Sequence, residues 1–586
     1  MRSKSKAYDM AAFLAVMVIV VAACGPAAQR TGERGDRGSQ AVTGLAPDEI
    51  PKAEYYLSRW KNEAPKYGGV LQNTSPLIAP SLDQISEGTG GTQSIVLMVY
   101  NSLLEYHYKP NDTMGFPSDI RPGLAERWEV SKDGLTYTFY LRKGAKFHDG
   151  VEFSSADAKF SIQRMMTPPP KTPSLRGGWY SQLVEKMETP DKYTFVVKLK
   201  DIDAAFIGKI AAGYTPMMPK HVLEPFNARI TDEHLDKVIG TGPFRLVKGK
   251  REVSWHHEKN QDYWKKDSEG RQLPYLDGMD TYMLIEEASR VAAFESGQLD
   301  TFGVSGQLAE EQKVKIINRM GDKVAEYKAA GVGGLGNYMY FNVSRKPYDD
   351  ARVRKAITLG INWRVVEKVA SLGNSCVGGY MPPQGNWGIS CEKVAKMKGY
   401  GAATDADKVE AKRILAEAGY PNGFEATMLL GYGASTDQLA QIYQPMLAEI
   451  GIKVNFRPLE RTAYYSAMTT ADFEMNPMGA IAAIDDPNDH LGTWVICAGG
   501  RNYGKYCDPK TEDLFKQQAR EMDQEKRKKL FRDLEIYLLE QSPLVNSWAT
   551  GTAYGFLSRS YVKGWLPMGG WHTQQLWDTA WLDKQG

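Results

Sequence analysis

Residues 121–164 read RPGLAERWEVSKDGLTYTFYLRKGAKFHDGVEFSSADAKFSIQR. Leu135, Tyr137, Phe139 and Leu141 alternate with Thr136, Thr138, Tyr140 and Arg142, and Asp133-Gly134 comes just before them. A period of two puts one set of side chains on one face, so the segment predicts a β-hairpin with a buried side. Gly150 then marks a turn. Ser154, with Asp157 three residues on, is a helix N-cap signature, and Phe160 and Ile162 continue that helix. His148, Asp149, Glu152 and Asp157 crowd together here as they would at a hydrolytic or metal site. The turn offers them other work, because short polar side chains between a strand and a capped helix satisfy backbone donors.

Outward from this block the pattern continues. GGVLQNTS starts the globular part near Tyr67, and an apolar helix-like stretch follows from Thr92 to Leu104. Residues 240–249 (GTGPFRLVKG) and 251–264 (REVSWHHEKNQDYW) read as strands ending in a loop. A helix is expected from Asp405 to Gly419, with Ala411, Ile414, Leu415 and Ala418 on one face and the glycine as its stop. A strand at Phe424–Leu430, a helix at about 436–450 and a strand in GIKVNFRPL imply a mostly parallel sheet with helical crossovers. The last long helix, about 525–540, spaces Leu530, Leu534 and Leu538 by four.

Catalytic and cofactor patterns fail on context. GVGGLG at 331–336 matches G-x-G-x-x-G, but NYMYFNV after it alternates like a strand where a dinucleotide site needs a helix. There is no G-x-x-x-x-G-K-[ST], H-E-x-x-H or G-x-S-x-G. His256 and His257 are neighbours in a strand and point to opposite faces, so they cannot share one ion. Neither a cofactor nor a metal is expected.

The chain has 586 residues, 42% of them hydrophobic and 24% charged, with 72 basic against 70 acidic side chains. At ~150 residues per domain that length implies about three or four units. The near-neutral balance carries no nucleic-acid footprint. Arg2, Lys4 and Lys6 precede an apolar run from Met10 to Val21 that ends in Ala22-Ala23-Cys24-Gly25. This is an export signal of residues 1–24, too short to settle across a bilayer of ~30 Å, and Cys24 stands where a lipidated cysteine would. Residues 25–45 hold little that is large and apolar and form an expected flexible stalk. The other four cysteines fall in two local pairs, Cys376 with Cys391 and Cys497 with Cys507, across turn-rich segments that favour two disulfides in an exported protein.

Blocks across the chain carry a resemblance. The opening stretch, GTGPFRL, NQDYW, PYLDGMD, AAFESGQLD, YMYFNVSRKPYDDARVRKAI, AKRILAEAGYPNGFE and EKRKKLFRDLEIYLLEQSPLV together are similar to family 5 extracytoplasmic solute-binding proteins, the peptide, dipeptide and nickel receptors of ABC importers. The resemblance implies an α/β, two-lobed periplasmic-binding-protein fold of type II, cluster C-like, with an extra subdomain and two hinge crossings. Lobe I would comprise 46–95, 229–335 and 548–586, the extra subdomain 96–228, and lobe II 336–547. It also implies a monomer, an ABC permease as partner, lipid attachment to the membrane, and a small-molecule or peptide ligand released unchanged.

In peptide-binding members the resemblance supplies a motif A-D-Y-x-D-P, whose first aspartate pairs with the peptide amino group. In AAIDDPNDHL, residues 482–491, alignment on Asp486-Pro487 places Ala483 at that position and Ile484 after it, with Asp485 the nearest substitute. A buried ammonium without a partner is costly, which weighs against a peptide held in the usual way. The candidate cleft wall is therefore aromatic and polar: Trp387, Tyr432, Trp494, Ala483, Ile484, Asp485, Asp486, and Glu87, Gly88, Thr89, Gly91 and Thr92 of EGTGGT. One of the two aspartates is expected to cap the following helix. Peptide, sugar and aromatic acid stay open as ligands; an exported hydrolase and a sensory binding protein are the lesser alternatives.

Overall fold

The computed structural model describes residues 63–86, 90–107, 119–302, 308, 310–328, 336–371, 375–383, 386–431, 434–480, 483–549, 555–565 and 577–584. The export signal, Cys24, the stalk, Glu87, Gly88, Thr89 and Tyr432 lie outside these residues.

The opening block folds as its alternation dictates. Strands Ala125–Val130 and Thr136–Leu141 pair antiparallel, with Tyr137, Phe139 and Leu141 buried on one face. Gly134 takes φ +72°, a backbone conformation open to glycine, and Asp133 Oδ1 accepts the Leu135 N–H at 3.0 Å. The sheet is completed by Thr194–Leu199 and Val184–Asp191. Helix Ser155–Met166 follows, and both the backbone N–H and the hydroxyl of Ser154 donate to the Asp157 carboxylate, at 3.0 and 2.6 Å. His148 is architectural. Its Nε2 donates to the Gly242 carbonyl at 3.0 Å, and burial lowers its pKa to about 4. Asp149 bonds His221 at 2.7 Å.

A second sheet of the first half has the order Val70–Ser75, Gly278–Met283, Ser254–Lys259, Phe244–Lys250. Only its first pair is parallel. His256 and His257 diverge as the strand period requires, His256 to Asp280 at 2.6 Å and His257 to the Ile95 carbonyl at 2.8 Å. The helix expected over 92–104 is cut to Gly90–Val96. After it the Met98 and Val99 carbonyls accept N–H groups of Phe244 and Gly242, so the chain extends along the GTGPF segment instead of coiling. One apolar core, including Leu71, Phe139, Ile162, Phe244 and Trp565, unites these layers.

The second half is built on six strands in the order Ser375–Gly378, Leu544–Ala549, Gly336–Phe341, Met475–Ala480, Phe424–Leu430, Ile452–Pro458. The strand–helix–strand unit appears as read: Phe424–Leu430 and Ile452–Pro458 are parallel and joined by helix Ala434–Glu449. Its extension to the whole sheet is corrected. Gly336–Phe341, Leu544–Ala549 and Ser375–Gly378 pair antiparallel with their neighbours; the first two carry the chain into and out of this half, and none is joined to its neighbour by a local helical crossover. Helix Asp405–Glu417 has Thr404 and Asp407 as a capping box, and Gly419 ends the segment at φ +98°. Helix Gln524–Gln541 buries Arg527, Phe531, Leu534, Glu535, Leu538 and Leu539, so Phe531 and not Leu530 begins its core face. A separate core, with Tyr338, Trp363, Met428, Trp494 and Leu538, sits here. Two lobes result, and two stretches of chain link them: Val324–Lys328 pairs with Gly555–Arg559 on one side, and Gly336–Phe341 with Leu544–Ala549 on the other.

Both disulfides form, Cys376–Cys391 with Cα atoms 5.9 Å apart and Cys497–Cys507 with 4.6 Å. No helix among the described residues is long and apolar enough to cross a membrane.

Candidate functional site

The loop from Ala483 to Asp486 joins strand Met475–Ala480 to helix Pro487–Trp494, and its neighbouring carboxylates meet different fates. Asp486 is the N-cap, accepting the Asn488 N–H at 2.8 Å, with Pro487 at the first helical position where its missing N–H costs nothing. It also receives both arms of Arg527, at 2.7 and 2.6 Å, from the helix Gln524–Gln541. Arg527 donates further to Asn488 at 2.9 Å, and Asn488 donates to Asp203 at 2.6 Å. Asp203 belongs to the first half, where Lys209 pairs with it at 2.5 Å. Burial works against that carboxylate, yet Lys209 and Asn488 hold it below its ordinary pKa. This polar chain crosses from one lobe to the other. Beside it the Ala204 N–H meets the Ala519 carbonyl at 3.0 Å and Arg520 meets Asp201 at 2.5 Å.

Asp485 forms no ion pair among the described residues. Its Oδ2 accepts from Asn386, at 3.3 Å from the backbone and 3.0 Å from the side chain, while Oδ1 is buried without a hydrogen-bond partner. Burial pushes its pKa up to about 7, against the pull of the Asn386 donors. The carboxyl edges a cavity of about 280 Å³. Tyr106, Ile120, Trp128, Val130 and the 204–208 segment wall it from the first lobe; Asn386, Trp387, Asp485, Asp486, Met522 and Arg527 wall it from the second. An aromatic, partly polar space between lobes is where a small organic molecule is expected.

Trp387 reaches this wall because its loop is fastened. The Cys376–Cys391 disulfide closes the loop. Glu535 accepts the N–H groups of Tyr380, Met381 and Ile389 at 2.9, 3.3 and 3.1 Å. Burial pushes Glu535 up to about 7 although Arg532 and those amides oppose it. The Trp387 indole donates to the Asp485 carbonyl at 2.8 Å, and Arg527 stacks 4.6 Å over its ring.

Of the residues picked from the sequence, Trp387, Asp485 and Asp486 thus come together at the cavity. Ala483 and Ile484 are buried beside it in a small apolar cluster with Ala205, Ala212 and Tyr214. Trp494 packs with Tyr338, Tyr340 and Tyr503 in the second core and is not among the residues lining this cavity. Gly91 and Thr92 are also absent from that wall. A Cβ on Gly91 would sit 2.5 Å from the Ile78 carbonyl oxygen, and the Thr92 hydroxyl donates to the Ser81 carbonyl at 2.7 Å. Sequence reading missed Tyr106, Trp128, Asn386 and Arg527. Arg527 carries a legible signal, an arginine four positions before Phe531 on the turn that opens a helix's buried side, but nothing local tells that it meets residue 486.

Residues 119–502 match the family model described as bacterial extracellular solute-binding proteins, family 5 Middle. The chain belongs to that family. As a family 5 protein it is 26% identical over 505 residues to the dipeptide-binding protein of Escherichia coli K12, covering 82% of this chain and 88% of that one. The solved ABC transporter-associated periplasmic binding protein of Helicobacter pylori, in complex with the peptide STSA, superposes with a TM-score of 0.72 at 25% identity, over 89% of this chain and 99% of that one. An Agrobacterium binding protein in complex with agropinic acid gives the same TM-score and identity over 88% and 99%. The family 5 chain described here is accordingly an extracytoplasmic solute-binding receptor of an ABC importer, and its relatives are binding proteins.

Proposed function

We propose that the protein, tethered by lipid on Cys24 through the 25–45 stalk, captures a small organic solute between its lobes and hands it unchanged to an ABC permease. Lobe I would comprise 46–95, 229–335 and 548–586, the extra subdomain 96–228, and lobe II 336–547. The observation that carries the binding site is the interlobar cavity edged by Trp387 and by Asp485, whose buried Oδ1 lacks a partner. Such an orphaned acceptor in an apolar surround is a cost that a ligand donor removes. A solute touching both walls binds the closed form better than the open one and so drives hinge closure.

A second reading, a peptide bound by its free amino group, is favoured by the same Asp485 oxygen, which would ionise on meeting an ammonium. Relatives named for dipeptides and for agropinic acid support a family cleft that accepts either class.

Thermal-shift and calorimetric titration of the mature protein with dipeptides, their N-acetyl forms, oligosaccharides and aromatic acids tests both. A ligand at 100 times its Kd should add ~2.7 kcal/mol. Trp387→Ala and Asp485→Asn should weaken that ligand, and unchanged affinity in both would remove the cavity from the site. N-acetylation abolishing binding selects the peptide reading. Metabolic labelling with palmitate, lost in Cys24→Ser, tests the tether.

A further inference from the structure

The two legs of the Trp387 loop are joined by one side chain that is not among the residues lining the cavity. Glu535, fully buried on helix Gln524–Gln541, takes the N–H groups of Tyr380 and Met381 on Oε1, at 2.9 and 3.3 Å, and that of Ile389 on Oε2, at 3.1 Å. Residues 380–381 and 389 stand on either side of the loop tip. A single carboxylate therefore bridges the base of the loop, inside the outer closure made by Cys376–Cys391. The approach is tight, since a Cβ on Gly379 would collide with Glu535 Oε1.

The same helix holds the tip. Arg532, half-buried and paired with Glu535 at 2.8 Å, donates to the Trp387 and Gly388 carbonyls at 3.0 and 3.3 Å. Phe531, one turn before Glu535, meets the Trp387 ring edge-on with centroids 6.3 Å apart, and Arg527, a turn earlier, lies 4.6 Å over it. Residues four apart share a helix face, so 527, 531 and 535 present a cation, a ring and a carboxylate in one row. The loop is thus gripped by its amides, by its carbonyls and by its aromatic side chain.

A buried carboxylate is costly where an apolar side chain of like size would pack, and Leu534 and Leu538 do pack on this helix. The hydrogen bonds of Glu535 go to the loop and to Arg532, so what its charge secures is the loop. We infer that Glu535 and Arg532 are positioning residues for ligand binding, which from outside the cavity hold Trp387 where a solute meets it, so that binding need not order that side chain. The inference rests on the receptor reading, in which the cavity edged by Trp387 is the binding site.

Two measurements on the mature protein test it. With fluorotryptophan incorporated, the fluorine NMR line of Trp387, assigned by its loss in Trp387→Phe, should be single and narrow without ligand. It should shift or broaden in Glu535→Ala and recover in Glu535→Gln, which keeps an acceptor oxygen for the Tyr380 and Met381 N–H groups, while the lines of Trp255 and Trp565 in the other core stay in place. An unmoved Trp387 line overturns the inference, as does a shift shared by all the tryptophans. Arg532→Ala, at a half-exposed site, carries the same comparison if Glu535→Ala does not fold. Calorimetric titration with alanyl-phenylalanine, maltose and phenylacetate then compares wild type, Glu535→Ala, Trp387→Ala and the double variant. For a solute that binds, Glu535→Ala should weaken affinity ~10-fold and Glu535→Gln should restore most of it. In the Trp387→Ala background the same change should add less than ~2-fold, because a residue acting through Trp387 has nothing left to position. Equal losses in both backgrounds would assign Glu535 to packing alone and overturn the inference. Loss in Trp387→Ala with none in Glu535→Ala sinks it while keeping the cavity as the site; no loss in Trp387→Ala removes cavity and inference together. If none of the three solutes binds, the fluorine line decides.

Discussion

Asp486 and Asp485 are adjacent in sequence and both buried, yet one sits in a finished polar network and the other does not. Asp486 has a cap to make, two guanidinium bonds and a line of partners running through Asn488 to Asp203 and Lys209. Asp485 has amide donors on one oxygen and nothing on the other. The completed network bonds one lobe to the other across their junction, and the Asp485 oxygen left without a partner belongs to a residue of the cavity wall. Burial is the same in both places, and pairing is what differs.

The largest expected effect comes from breaking the finished side. Arg527→Met leaves the Asp486 carboxylate buried without its cation, a change that costs ~3–5 kcal/mol. Urea unfolding followed by tryptophan fluorescence should show the midpoint fall, and a midpoint within error of wild type would mean that the Arg527–Asp486 pair adds nothing to stability. Next is the loop bearing Trp387: replacing Cys376 and Cys391 together by serine removes a closed loop of 15 residues, worth ~3 kcal/mol, and should weaken ligand as well as stability.

Asp485→Asn works in the opposite direction. The folded carboxyl titrates at about 7 against 3.8 for the free side chain, so the folded state takes up the extra proton between those values and stability declines as pH rises through that window. The variant should be more stable than wild type by ~1 kcal/mol or more at pH 8, with the gain shrinking as pH falls and vanishing near pH 4. Melting curves across that range measure it, and a pH-independent difference would refute the unpaired state of Asp485. The smallest effect belongs to Arg520→Ala. Its bond to Asp201 bridges the same junction, but both side chains are about half exposed, so the change should stay within about 0.5 kcal/mol.

Local patterns in the sequence were reliable where one element supplies its own partners. The 121–164 block shows hairpin, turn and cap at the residues its alternation and its Ser154/Asp157 spacing point to, and Asp486 caps a helix as one member of the pair was expected to. Patterns that needed distant partners misled. The stretch 92–104 looks helical by its apolar content, but the carbonyls of Met98 and Val99 are claimed by residues 242 and 244. A parallel sheet follows from one strand–helix–strand unit, while three strands of that sheet, at 336–341, 375–378 and 544–549, pair antiparallel across distant segments. Trp494, expected at the cleft from its place after the aspartates, packs against Tyr338, Tyr340 and Tyr503.

The cysteine spacing pointed to two local disulfides and the short-range patterns to individual strands, helices and caps, since each depends on neighbours close in sequence, while the two α/β lobes and the binding role came from the family resemblance carried by blocks along the chain. Which carboxylate is satisfied and what lines the space between lobes were decided only in three dimensions. Those properties depend on pairing across segments such as 203, 486 and 527, and desolvation makes the presence or absence of one distant partner the dominant energy.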